Sequence, residues 1–261
     1  MYEEELAFAL ELAEEAGRIG LSYFRGSFDV RQKVDRSPVT EADLAIEAML
    51  RREIHARYPE DAVLGEEGGL EGEGSRRRWI VDPIDGTRNF ADGVQIWSTL
   101  IALAVDEVPV LGVVEMPALG ERYTGLRGAG ARLNGEPIRV SRADRLERAF
   151  VLYGEARDLL DTPYAAAFLE LIRGARRERG FGDAWAHMLV ARGSADIMLE
   201  PELSTWDWAA VQVVLEEAGG RVTTFEGEPL AHGGSVLSTN GVLHDEVLAR
   251  LAHARRGAQG A

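Results

Sequence analysis

The chain has no cysteine. That removes disulfides, thiolate catalysis and thiolate-ligated zinc together. It has one lysine, Lys33, among 29 basic residues, and the bias to arginine points to no function. No apolar run approaches the roughly 20 residues that a membrane span needs. The opening stretch MYEEELAFAL is acidic where a secretory signal would be basic. Positive charge is scarce: 44 Asp and Glu leave a formal net charge of −15, which disfavours nonspecific contact with nucleic acid or anionic lipid. These absences lead us to expect a cytoplasmic protein with no membrane or nucleic-acid partner. A small anionic substrate stays compatible, because a bound metal can invert the local field.

What is present suits a globular fold. With 261 residues, 46% hydrophobic and 28% charged, the chain can form one large domain or two small ones. Leu6, Leu10, Ala13, Gly17, Gly20 and Phe24 recur at helical spacing and predict a helix over 3–25. A second helix should open at Thr40 as N-cap, with Asp43 in its first turn, and stop at Pro59. The Gly- and Glu-rich residues 65–74 read as an exposed, mobile loop. Apolar runs predict strands at 79–82, 98–105, 109–115 and 121–125. VDEVPV should join two of these as a hairpin, and Asn134-Gly135 marks another.

Beyond residue 141 the pattern alternates. Helices are expected at 163–177, 183–193 and 206–218, and strands near 149–152, 195–199, 221–224 and 235–238. The tail ARRGAQGA reads as disordered. The expectation is a mixed α/β protein with sheets between helix layers. It divides near residue 140 into an N-terminal half, 1–140, and a C-terminal half, 141–261.

Acidic residues stand where chains turn: Asp43 and Asp207 at helix starts, Glu66-Glu67 in a loop, and Asp82 and Asp85 in WIVDPIDGTRNF. Singly, Asp43 and Asp207 read as helix-start residues favoured by the dipole, and the two glutamates as a solvated loop. Asp82 and Asp85 are harder to set aside. A buried strand should deliver Asp82 at its end. Gly86 lets the backbone approach a ligand, and the Gly86 and Thr87 amides at a helix start form an anion seat. Carboxylates repel phosphate, so the combination needs cations between them, and hard oxygen ligands point to Mg²⁺. The haloacid-dehalogenase motif D-x-D-G-T is a neighbour, but one more residue separates the aspartates here and the motif lies far from the chain start.

The stretches GEE (65–67), DPIDGTRNF (82–90) and WDWAAVQVVLEEAGG (206–220) resemble, in order, the signatures of the inositol-monophosphatase superfamily of Mg²⁺-dependent phosphatases. The likeness runs from SPVTEAD to LSTNGVLHDEVL. It implies an α/β (α+β) fold, the layered α-β-α-β-α sandwich of the inositol monophosphatase and fructose-1,6-bisphosphatase type, assembled as a homodimer. By resemblance, Glu66, Asp82 and the Ile84 carbonyl hold one Mg²⁺, and Asp82, Asp85 and Asp207 a second, with a weaker third beside Glu66. Most of these ligands fall in the N-terminal half. Glu66 and Thr87 would position the attacking water, Asp43 would hydrogen-bond Thr87, and the Gly86 and Thr87 amides would seat the phosphate. Lys33 stands where the family has a residue that approaches the metals, although a surface lysine explains it as well.

The stretch RGFGDAWAHMLVARGSADIMLEPELSTWDWAAV (179–211) is most like the histidinol-phosphatase branch, whereas TRNF (87–90) is closer to the inositol-phosphatase form. The branch implies that Asp183, Arg179 and Glu200 contact the leaving group. Asp183 reads equally well as an N-cap, and Arg179 as a solvated member of a basic run. His187 reads as a satisfied, partly buried histidine. The substrate expected is histidinol phosphate, a step of histidine biosynthesis. The alternatives are an inositol-1-monophosphatase or broad sugar phosphatase, and a non-catalytic regulatory scaffold.

Overall fold

The computed structural model describes residues 1–26, 30–32 and 38–259; Lys33 lies outside them. In chain order come α1 (Glu3–Tyr23), β1 (Val30–Gln32), β2 (Pro38–Thr40), α2 (Glu41–Arg57), β3 (Ala62–Gly65), β4 (Gly69–Glu71), β5 (Arg77–Asp85) and α3 (Thr87–Ala91). Then follow β6 (Ser98–Val105), β7 (Val108–Met116), β8 (Glu121–Leu126), β9 (Gly130–Leu133) and β10 (Glu136–Pro137). The rest comprises β11 (Phe150–Tyr153), α4 (Ala156–Leu160), α5 (Ala165–Gly174), β12 (Arg177–Gly180), α6 (Asp183–Ala191), β13 (Ile197–Leu203), α7 (Thr205–Glu217), β14 (Arg221–Thr223), β15 (Gly234–Thr239) and α8 (His244–Gln259).

Eight strands form one sheet in the order β10-β9-β8-β7-β6-β5-β3-β4, and five form another, β12-β11-β13-β15-β14. Most pairs are antiparallel; β3 with β5, and β11 with β12 and β13, are parallel. Alternation along the strands places the layers. On β6, Ile101 and Leu103 join a core with α1 and α2, while Leu100, Ala102 and Ala104 join a second core with α6 and α7. On β13, Met198 faces that second core, and Ile197 and Leu199 face a third with α5 and α8. The result is helix, sheet, helix, sheet, helix, as the resemblance implied. No helix among the described residues is long and apolar enough to cross a membrane.

Both expected hairpins form. Asp106 and Glu107, and then Asn134 and Gly135, have the positive φ of tight two-residue turns. Several boundaries differ from expectation. Residues 65–74 are not a plain loop: β3 and β4 pair across them. The helix expected over 163–177 stops at Gly174, and Arg177–Gly180 joins the sheet edge as β12. The tail is helical to Gln259, because Val247 and Leu251 of α8 bury against the third core and Arg250 pairs with Glu246 at 2.7 Å. The strand expected at 79–82 runs to Asp85, with consequences for the site.

Candidate active site

Asp82 and Asp85 are three residues apart, so in a regular strand they would point to opposite faces. β5 is not regular there. Asp82 stands opposite Leu100 and Asp85 opposite Ser98, so β5 holds one more residue than β6 in this interval. Such a bulge reverses the alternation and brings the two carboxylates to one side. The Thr99 hydroxyl donates to the Pro83 carbonyl at 2.8 Å and the Thr87 hydroxyl to the Ile84 carbonyl at 2.9 Å, which holds the irregular backbone. Gly86 then takes φ 80°, a left-handed conformation, and a Cβ there would lie 3.1 Å from an Asp183 oxygen.

Asp207 arrives from another layer. It is the third residue of α7, and one oxygen accepts the Ser204 amide at 2.7 Å. One oxygen each of Asp82, Asp85 and Asp207 lies within 4.8 Å of the others. Glu66, in the turn after β3, lines the same cavity of about 510 Å³, as do Ile84, Gly86, Thr87, Asp183 and Glu200. A larger cleft, about 740 Å³, lies between α1 and β7–β8; of its carboxylates, Glu115 is paired with Arg122 and Glu121 with Arg192.

The electrostatics call for cations. Burial, then the charge of Glu66, raises the Asp82 carboxyl far above its ordinary range. Burial raises Asp85 to about 6, against the Ala184 amide and Ser98 hydroxyl that donate to it at 3.0 and 2.9 Å. Burial and then Asp85 raise Asp207 to about 7. Asp82 Oδ1 is buried without a hydrogen-bond partner. Uncompensated buried carboxylates are costly, and oxygen donors with no sulfur or histidine suit hard divalent cations. The residues present therefore fit such ions: Glu66, Asp82, Asp85, Asp207 and the second lone pair of the Ile84 carbonyl can all serve.

Beside the acid cluster, Asp183 opens α6, whose Ala184 amide donates to Asp85. It is not the cap: Gly182 is, and Asp183 follows with φ 54°. Its carboxylate accepts from the Asn89 side chain at 2.8 Å. Burial, then the charges of Asp85 and Asp207, pushes its carboxyl well up, and burial followed by Asp183 does the same to Glu200.

Three expectations differ from what is observed. Asp43 does not hydrogen-bond Thr87: its Oδ2 accepts from the Thr40 amide at 2.8 Å and Thr40 hydroxyl at 2.5 Å, and its Oδ1 has no partner. Thr87 uses Ile84 instead. Arg179 does not line the cavity; it is exposed on the edge strand β12 and donates to the Glu178 carbonyl at 2.7 Å. His187 is fully buried at the cavity wall, with Nδ1 2.7 Å from the Ser238 hydroxyl, Nε2 unpartnered, and its pKa lowered by burial to about 3. Asn89 and Ser98 were not singled out from sequence. Ser98 could have been found from strand register, since it faces Asp85; Asn89 carried no local signal.

Comparison with known proteins identifies the family. Residues 1–257 match the model of the inositol monophosphatase family. The chain is 41% identical to the histidinol-phosphatase of Chlorobaculum parvum over 254 residues, covering 97% of this chain and 98% of that protein. It is 42% identical to the histidinol-phosphatase of Mycobacterium tuberculosis over 258 residues, covering 96% and 99%. The solved structure of the Thermotoga maritima IMPase superposes with a TM-score of 0.88 at 32% identity, covering 98% of this chain and 99% of that one. A match over nearly all its residues, around an acid cluster that fits divalent cations, places the chain in the inositol monophosphatase family of metal-dependent phosphoric monoester hydrolases.

Proposed function

We propose that the chain is a Mg²⁺-dependent phosphatase acting on histidinol phosphate, with two cations at Glu66, Asp82, Ile84, Asp85 and Asp207 and a weaker third beside Glu66. When bound, such ions polarise the phosphoryl group, acidify a water and offset charge on the leaving oxygen. The chain's own residues supply the rest. Thr87 has its proton committed to Ile84, so its oxygen presents lone pairs to the attacking water. Glu66 accepts a proton from that water, and the Gly86 and Thr87 amides orient the phosphate. Asp43 supports the site from behind, with Oδ1 as its open acceptor. In this reading the enzyme is a homodimer, as the resemblance implied, and cytoplasmic, as the composition led us to expect.

The observation that carries the substrate choice is the pair Asp183 and Glu200. Both carboxyls are raised by burial, and no cation among the described residues pairs with either. Arg88, tied to Glu155 at 2.6 Å, offsets Asp183 only in part. A leaving group with an amine and an imidazole, partly cationic near neutral pH, supplies the missing charge; a neutral sugar does not. Two histidinol-phosphatases at about this distance in sequence support the choice.

Asp183→Ala tests it. Losing one charged hydrogen bond, worth about 1.5–3 kcal/mol, should lower kcat/KM for histidinol phosphate by roughly 10–100-fold. Turnover of inositol 1-phosphate should change little. Equal losses on both substrates would favour the second reading, an inositol or broad sugar phosphatase. The Asn89–Asp183 bond speaks for that reading, because it engages Asp183 within the protein through the TRNF segment. The Asp183→Ala comparison also addresses a non-catalytic scaffold: wild-type protein that releases no phosphate from any monoester with Mg²⁺ would restore that view.

A further inference from the structure

Glu66 sits in the stretch Gly65-Glu66-Glu67-Gly68-Gly69, whose glycines give the backbone little stiffness of its own. A carboxylate that is to hold a cation needs a firmer support. α2 supplies one. Glu47, one helical turn after Asp43, is only 3% exposed. Its Oε2 accepts from the Glu67 amide at 2.8 Å and its Oε1 from the Gly68 amide at 2.7 Å. Arg51, a further turn along, donates from Nε to Glu47 Oε1 at 2.8 Å and from Nη2 to the Gly69 carbonyl at 2.7 Å.

One face of α2 thus presents Asp43, Glu47 and Arg51 at four-residue intervals. The first stands behind the site, the second grips the turn, and the third neutralises the grip. The contact is close enough to explain the turn's composition. A Cβ on Gly65 would lie 2.5 Å from Glu47 Oε1, and one on Gly68 2.7 Å from Arg51 Nη2. These glycines serve close approach of the helix side chains. The bonds are charge-assisted and largely buried, so removing one partner leaves the others unpaired.

We infer that Glu47, fixed by Arg51, is a positioning residue for Glu66 and sets the affinity of the cation position that Glu66 serves. The inference rests on the proposed role of Glu66 as a ligand. Outer partners of ligands typically change metal affinity by about 10–100-fold when removed.

The test uses metal-stripped full-length protein titrated with Mn²⁺ and followed by electron paramagnetic resonance, with hydrogen exchange at the Glu67 and Gly68 amides as a second readout. Glu47→Gln points an amide N–H at a backbone N–H. It should weaken Mn²⁺ binding by roughly tenfold or more, and the two amides should exchange faster. The far-UV circular dichroism spectrum should stay like that of wild type, which a general loss of structure would not allow. Arg51→Lys keeps the charge but loses the fork, and should shift binding in the same direction by less; if Glu47→Gln does not fold, this variant decides. Glu66→Gln is the reference. Weakened binding in Glu66→Gln with wild-type binding in both α2 variants would overturn the inference and leave the ligand reading intact. Wild-type binding in Glu66→Gln would overturn both.

Discussion

At the start of α2, Asp43 is the third helical residue and accepts the Thr40 amide at 2.8 Å; at the start of α7, Asp207 is again third and accepts the Ser204 amide at 2.7 Å. The local arrangement is nearly the same, and both carboxyls are raised chiefly by burial, Asp43 to about 6 and Asp207 to about 7. Yet only Asp207 has an oxygen within 4.8 Å of Asp82 and Asp85. Asp43 is 0% exposed, and its free oxygen meets no hydrogen-bond partner. The difference lies in what the helices pack against. α7 belongs to the central layer and starts at the cavity, whereas α2 lies on the far face of the eight-stranded sheet. Capping is a local property; membership of an ion site is decided by placement.

The most severe way to break the comparison is to neutralise each acid in turn. Asp207→Asn should reduce phosphatase activity by more than the roughly 100-fold upper end seen when a supporting partner is lost, while Asp43→Asn should cost about tenfold. Steady-state assays across a Mg²⁺ series measure both; equal losses would mean that Asp43 belongs with the ligands.

A smaller effect concerns pH. Carboxyls with raised folded pKa values bind protons more tightly folded than unfolded, so their contribution to stability falls as pH rises from about 4 to about 7. His187 and His244, lowered by burial to about 3 and about 4, act oppositely, costing stability as pH falls below about 6.5. The histidine effect is common to protein with and without metal and cancels in the difference. The rise in Tm caused by Mg²⁺ over EDTA should therefore be small at pH 5 and large at pH 8, where protons no longer compete for Asp85 and Asp207. Asp207→Asn should shrink that rise more than Asp43→Asn. A rise independent of pH would contradict the account of the cluster.

The mildest change is Thr40→Ala. It removes the hydroxyl that accepts from the Ala42 and Asp43 amides at 3.2 and 3.4 Å. About 1 kcal/mol of stability should be lost in denaturant titration. The Mg²⁺-dependent rise in Tm should persist, because Asp207 is untouched.

Much of this was legible beforehand where the signal is local. β6 begins and ends where its apolar run and the following turn placed it, at 98–105. Thr40 and Asp43 announced the start of α2 through capping chemistry. Misreadings came from interactions at a distance. The strand was expected to end at Asp82, but β5 continues through Pro83 by bulging against β6. The RERG stretch of β12 has no apolar pattern and is a strand only because β11 pairs with it. The tail ARRGAQGA was expected to be disordered, but α8 runs on to Gln259 from a helix that Val247 and Leu251 anchor on the third core. Asn89 meets Asp183 across 94 residues of chain, so no spacing rule would pair them.

The sequence by itself determined the kind of donors available, the helix starts that carry two of them, and the family. Side-chain chemistry and short-range hydrogen bonds are written in neighbouring residues. The tertiary structure decided which donors share a site. It turned Asp82 and Asp85 to one face, chose Asp207 over Asp43 to join them, left Arg179 outside, and tied the Glu67 amide, next to Glu66, to Glu47 and Arg51 of α2. Those outcomes depend on strand register and on the packing of layers, which no short stretch of the chain encodes.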